Sequence, residues 1–130
     1  MAVQAISKNV RMSPRKVSVV ASLVRGRTVA DAVTILDHTS RRAAMPVKKA
    51  VLSAKANAEH NHNYKADTLV ISQISVTAGP SLKRYRPAAH GRALPFQRRS
   101  SRILVTVDGE QRPTKKPVAE KKAPTKEEAK

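Results

Sequence analysis

Residues 79–100 read GPSLKRYRPAAHGRALPFQRRS, and they lie between two β-branched stretches, TLVISQISVTA (68–78) and SRILVTV (101–107). The flanking stretches have the composition and alternation of strands. A hairpin connection usually takes about two to five residues, and a much longer loop in a compact domain is functional or disordered. From residue 68 to residue 107 there is no acidic side chain, whereas Lys83, Arg84, Arg86, Arg92, Arg98, Arg99 and Arg102 all fall in that span. The segment therefore reads as a basic finger: two strand-like arms running past the sheet, with a tip near residues 88–93. Ten residues per arm reach roughly 30 Å. Such a finger has no core of its own and is ordered when its cations meet phosphates. Arginine dominates, and its planar fork suits phosphate oxygens and RNA grooves better than an ammonium does.

Outward from the finger, the two strands carry the sheet. Ile103, Val105 and Val107 share one face of the second strand. In the first, Leu69 and Ile71 are out of phase with Ile74 and Val76, which admits a bulge near Ser72-Gln73. A short N-terminal strand over about residues 3–10 would complete a small sheet. Three helix signals lie between that N-terminal strand and residue 68. Ser13-Pro14 is an N-cap followed by a proline in the first helical position. Val17, Val20, Ala21 and Val24 then recur at helical spacing, and Gly26 closes the segment. Thr28 caps a second helix with Asp31 three residues on, a short form of the capping box, and Val29, Ala32, Val33 and Leu36 make its stripe. Ser40 opens a third, longer helix to about residue 59, with Ala44, Val47, Val51, Ala54 and Ala58 on one face. Pro46 lies inside that segment, so a kink or a late start is expected. The fold class is α+β: three helices on a small antiparallel sheet, with one extended hairpin.

The chain has 130 residues, 26 Lys+Arg against 9 Asp+Glu, and a formal charge of +17. Self-repulsion of that size is ordinarily relieved by a polyanion. Aromatic residues make up 2%, so stacking is not expected to be the main mode of recognition. With no cysteine there are no disulfides, thiolate metal sites or cysteine nucleophiles, which fits a reducing compartment. No apolar run approaches the roughly 18 residues of a membrane span, and the N-terminus lacks the apolar core of an export signal. Residues 1–107 hold 19 basic and 4 acidic residues, and residues 108–130 hold 7 and 5. The latter stretch has three prolines and almost no large apolar residue. It is read as a disordered charged tail after a domain of residues 1–107.

The helical cations form a second basic set. Arg11, Arg15 and Lys16 flank the start of the first helix, and Arg25 and Arg27 its end. Arg41, Arg42, Lys48, Lys49 and Lys55 line the third helix, where acidic partners at i+4 are not expected to balance them. The first two helices superficially match a helix-turn-helix DNA reader, but the second carries Asp31 and Asp37 and no Lys or Arg. His60-Asn61-His62 lacks a third ligand at metal-site spacing and reads as a polar helix end, so no metal or cofactor is expected. Phosphate loops, nucleophile elbows and paired carboxylates are missing, and an enzyme is not expected.

SPRKVSVVASLVRG (13–26), ANAEHN (56–61) and GPSLKRYRPAAHGRA (79–93), followed by RRSSRILVTV (98–107), resemble the large-subunit ribosomal protein number twenty-two family, bacterial type. The similarity spans about residues 3–107. The resemblance implies a cytoplasmic ribosomal protein that binds 23S ribosomal RNA, supports subunit assembly and sits among neighbouring large-subunit proteins as a monomer. It also implies that the hairpin runs inward and that its tip meets the nascent peptide in the exit tunnel, close to the macrolide site. Carried over by position, Lys83, Arg84, Arg86, Arg92, Arg98, Arg99 and Ser100 are RNA-binding hairpin residues. Arg11, Ser13, Arg15, Lys16 and Arg25, then Arg41, Lys48, Lys49 and Arg102, complete the candidate set. The tip is Ala88, Ala89, His90, Gly91, Arg92 and Ala93. The chain departs from the family pattern at Ala88, often basic, at Arg102, often histidine, and in LPFQ (94–97), a less polar return arm. The alternative from the residues themselves is an architectural DNA-binding protein whose basic β-arm wraps a minor groove, with Pro87 or Pro95 as a wedge. A membrane-active cationic protein would need a basic helix with aromatic anchors, which no segment provides.

Overall fold

The computed structural model describes residues 2–112. The N-terminal strand β1 (Val3–Val10) leads into α1 (Pro14–Val24), α2 (Val29–His38) and α3 (Ala44–His62). After a 3-10 turn at Ala66–Thr68 come β2 (Val70–Ala78), β3 (Leu82–Pro87), β4 (Ala93–Arg98) and β5 (Ser101–Asp108). The strands form two antiparallel sheets, one ordered β1-β5-β2 and the other the pair β3-β4. The fold is the α+β arrangement expected, three helices with a small antiparallel sheet.

Alternation decides which side of the larger sheet is buried. Ile103, Val105 and Val107 on β5 are fully buried, as are Ile71 and Ile74 on β2 and, nearly so, Val3 and Ala5 on β1. Ile71 and Ile74 are three residues apart, so an unbroken strand would point one of them outward. The register slips by one between Ile71 and Gln73, and this bulge returns both to the core. Ser72, the extra residue, donates from its hydroxyl to the Thr106 carbonyl at 3.1 Å.

On this face lie α1, through Val17, Val20, Ala21 and Val24, and α3, through Ala44, Val47, Val51, Ala54 and Ala58. The alanines let α3 approach closely. α2 packs on α3 through Ala32 and Leu36. The α1–α2 turn pairs with β2: Gly26 N–H donates to Ile71 O, Ile71 N–H to Arg27 O, and Val29 N–H to Leu69 O, at 2.9–3.0 Å. Gly26 has φ +74°, the left-handed region that this turn requires.

Three local details differ from the sequence expectation. Ser13 holds the N-cap backbone conformation, but its side chain makes no capping bond. Thr28 Oγ1 accepts from Asp31 N–H at 3.2 Å, yet the Asp31 carboxylate binds the Thr28 hydroxyl, at 2.8 Å, instead of reaching back to a backbone N–H. α3 starts at Ala44 rather than Ser40, which is the late start expected from Pro46, and it runs to His62 rather than residue 59. The late start places Pro46 in the first turn, where a helix has no acceptor for its N–H groups, so the missing donor costs nothing there. Asn63, in the left-handed conformation, ends the helix.

After β5 the chain turns back to the end of α3. Lys65 N–H donates to Glu110 O at 2.9 Å, Arg112 N–H to Asn63 O at 2.7 Å, and Lys65 Nζ lies 3.5 Å from the Glu110 carboxylate. Hydrogen-bonded structure thus continues past residue 107, to Arg112. The remainder of the stretch read as a tail, residues 113–130, lies outside the described residues.

Candidate nucleic-acid interface

The start of α1 and the turn before α3 lie side by side. Because Pro46 delays α3, Arg41 and Arg42 fall in that turn, not on the helix. With Arg11, Met12, Ser13 and Lys16 they line an open groove. The groove has a continuation in which Arg11 and Arg42 recur with Asn9, Pro80, Leu82, Arg84, Arg98 and Ser100. Asn9 has φ +58° at a second register slip, between Ser7 and Val10, so β1 leaves the sheet before Arg11. One band of six cations therefore joins the globular part to the base of the hairpin: Arg11, Lys16, Arg41, Arg42, Arg84 and Arg98. No acidic residue lines either part of it. Its field attracts a chain of phosphates.

The hairpin leaves the sheet at Gly79, whose N–H donates to Ser100 O at 3.0 Å. A Cβ at residue 79 would lie 2.6 Å from Ser100 Oγ, so a side chain at this crossing displaces the Ser100 hydroxyl. Beyond it β3 and β4 pair in register from Leu82 opposite Arg98 to Pro87 opposite Ala93. Nothing between residues 75 and 100 is buried. Pairing and alternation place Leu82, Arg84, Arg86, Leu94, Phe96 and Arg98 on one face. The Arg86 and Arg98 guanidiniums lie over the Phe96 ring, at 5.0 and 5.9 Å from its centroid. The ring thus holds two cations on the groove side of the hairpin.

At the tip, Ala88 N–H donates to Arg92 O at 2.8 Å and closes a tight loop. His90 and Gly91 are both left-handed, with φ +56° and +68°. Ala89 and Ala93 keep the tip narrow. Arg92 turns back, its Nε 3.5 Å from Ala89 O.

The other expected contacts are scattered. Arg15 on α1 and Lys49 on α3 are exposed but outside the groove, as are Lys83, Arg99 and Arg102. Arg25 donates to the Ile74 carbonyl at 3.1 Å and Arg27 to the Leu23 carbonyl at 3.1 Å, so both serve the fold. Lys48 Nζ lies 2.6 Å from Asp37. The expectation that no acidic residue at i+4 balances α3 fails at Lys55, whose Nζ is 3.6 Å from Glu59. Arg42, named among the helical cations but not among the residues carried over from the family, lies at the centre of the band. The signal for it was Pro46, which moves residues 41–42 off the helix.

The family model for ribosomal protein L22p/L17e matches residues 5–108. The large ribosomal subunit protein uL22 of Oceanobacillus iheyensis is 50% identical over 107 residues, covering 82% of this chain and 95% of that protein. The matched region contains the three helices, the hairpin and almost the whole sheet. On these grounds the chain belongs to the ribosomal protein L22p/L17e family, and it is a structural protein of the cytoplasmic ribosome, not an enzyme.

Proposed function

We propose that the chain is a constituent of the large ribosomal subunit that binds 23S ribosomal RNA along the cationic band and the hairpin. The observation that carries this reading is the acid-free continuity from Lys16 and Arg41 through Arg11 and Arg42 to Arg84 and Arg98. Phosphate contacts supply affinity, while the shape of the folded RNA and its 2′-hydroxyls supply specificity. A hairpin without a core, paired only as a ribbon, is ordered further by RNA on its surface. In the subunit it runs inward, and the tip (Ala88, Ala89, His90, Gly91, Arg92, Ala93) lines the nascent-peptide tunnel near the macrolide site. The small side chains and tight closure of that tip support this role, as does the resemblance that first raised it. By tying RNA segments together the protein supports assembly of the subunit beside neighbouring proteins.

Filter binding of 23S ribosomal RNA across a salt series tests the reading. With six to ten phosphates engaged, affinity falls by roughly 10³–10⁵ between 50 and 200 mM salt. A flat salt response overturns this reading, and tighter binding to bent duplex DNA than to the RNA favours the architectural alternative.

A further inference from the structure

The hairpin has a second face that the cationic band does not use. Register places Lys83, Tyr85, Pro87, Ala93, Pro95 and Gln97 together on the side opposite Arg84, Arg86 and Arg98. That side carries one cation and one aromatic ring. The chain has three phenyl-type rings, and their surroundings differ. Tyr64 is 1% exposed in the core, and Phe96 lies beneath two guanidiniums. Tyr85 is 73% exposed, the most open of the large apolar side chains among the described residues. A tyrosine left that open on a strand presents its ring face to whatever meets the hairpin. It does so in a stretch of 40 residues (68–107) that has seven cations and no acid, so a polyanion is the partner that fits by charge. Unpaired RNA bases splay out of loops and stack on exposed rings, with nearby cations holding the adjoining phosphate. Lys83, two residues before Tyr85 on the same face, is placed for that phosphate.

We infer that Tyr85 is a stacking platform for an unpaired base of the large-subunit RNA, so that the hairpin is gripped from both sides. Phosphates lie along the Arg84–Arg86–Arg98 face and a splayed base lies on the Tyr85 face. This inference rests on the RNA-binding reading above and adds to it a contact of a different kind, one that salt does not screen.

The test uses the full chain and in vitro transcribed 23S ribosomal RNA. Tyr85→Ala is expected to weaken binding about tenfold, within the range for loss of one base–aromatic stack, with the salt slope unchanged. Tyr85→Phe, which keeps the ring, is expected to bind as the parent does. Tyr85→Trp introduces the chain's sole tryptophan, and its fluorescence should be quenched on RNA binding. The inference is overturned if the parent binds with a steep salt dependence while Tyr85→Ala binds equally well and the tryptophan is not quenched. That result leaves the RNA-binding reading intact and turns the Tyr85 face toward a protein or peptide. If the parent itself does not bind the RNA, both readings fall together.

Discussion

Lys48 Nζ lies 2.6 Å from Asp37 Oδ1, joining the second turn of α3 to the C-terminal end of α2 beside the basic groove. The pair neutralises a cation that would otherwise add to the band. Both partners are partly solvated, at 27% and 50% exposure, so the bond contributes at most about 1 kcal/mol to stability. Asp37→Asn should therefore change the melting temperature little. It should release Lys48 toward phosphate and steepen the salt dependence of RNA binding by up to about one ion. A salt titration of parent and variant on the same RNA checks this, and an unchanged slope means Lys48 lies beyond reach of the backbone.

Arginines of similar exposure should separate by function. Arg42→Ala removes a cation from the centre of the band and should lower the salt slope by about one while leaving the melting temperature alone. Arg25→Ala removes the donor to Ile74 O and should do the reverse, destabilising the fold by about 1–2 kcal/mol. Thermal melts and salt-dependent binding on both variants give a two-by-two comparison. Equal effects on both readouts would contradict the division of roles.

Ser101 is fully buried at the start of β5, and its hydroxyl has no hydrogen-bond partner among the described residues. An unsatisfied buried polar group costs about 1–3 kcal/mol. Ser101→Ala should stabilise the protein, raising the melting temperature by several degrees. Calorimetry decides the matter; a fall in melting temperature shows that the hydroxyl is satisfied.

Deleting Ser72 removes the extra residue of the β2 bulge. Ile71 and Ile74 are then two positions apart, so a regular strand still turns both inward. Deleting Ser72 and Gln73 together makes them adjacent and turns one outward, although each is at most 1% exposed in the parent. Loss of one such side chain from the core costs about 2–5 kcal/mol. The double deletion should unfold the domain at a much lower denaturant concentration, whereas the single deletion and Ser72→Ala should both be mild.

Replacing residues 83–97 by Asn-Gly should leave a folded protein, since Leu82 and Arg98 are a cross-strand pair that a two-residue turn can close. The core is untouched because that segment contains no buried residue. RNA affinity should fall but persist through Arg11, Lys16, Arg41 and Arg42. Footprinting of subunits that contain the shortened chain should then show the lost protection around the tunnel. Failure of a folded variant to enter subunits would make the hairpin the principal anchor.

Much of this architecture was legible in the residues because burial imposes a period. The valines of β5, the α1 stripe and the phase change at Ser72-Gln73 each report a side that must face the core. The basic hairpin was legible from its acid-free composition. What each cation touches was not, because partners are set by distance in the folded chain. Asp37 is eleven residues from Lys48, and the carbonyl that holds Arg25 lies on a distant strand. Lys55 and Glu59 stand four residues apart on one helix, so their pairing was legible in the residues. Arg42 needed a further step, from Pro46 to a delayed helix to a turn beside Arg11.

The turn between α1 and α2, with its bonds to Leu69 and Ile71, also has a bearing on how copies of this chain behave toward one another. A three-stranded sheet with β5 in the middle offers two outer edges, and an open edge is a template on which another molecule can add a strand. The turn occupies the first part of the β2 edge, and the Arg25 guanidinium covers the Ile74 carbonyl just beyond it. On the opposite edge, Asn57 of α3 donates to the Gln4 carbonyl of β1. The helices thus do more than fill the core: they blunt both margins of the sheet. A second copy of the chain therefore finds little free backbone at either covered stretch of edge on which to add a strand.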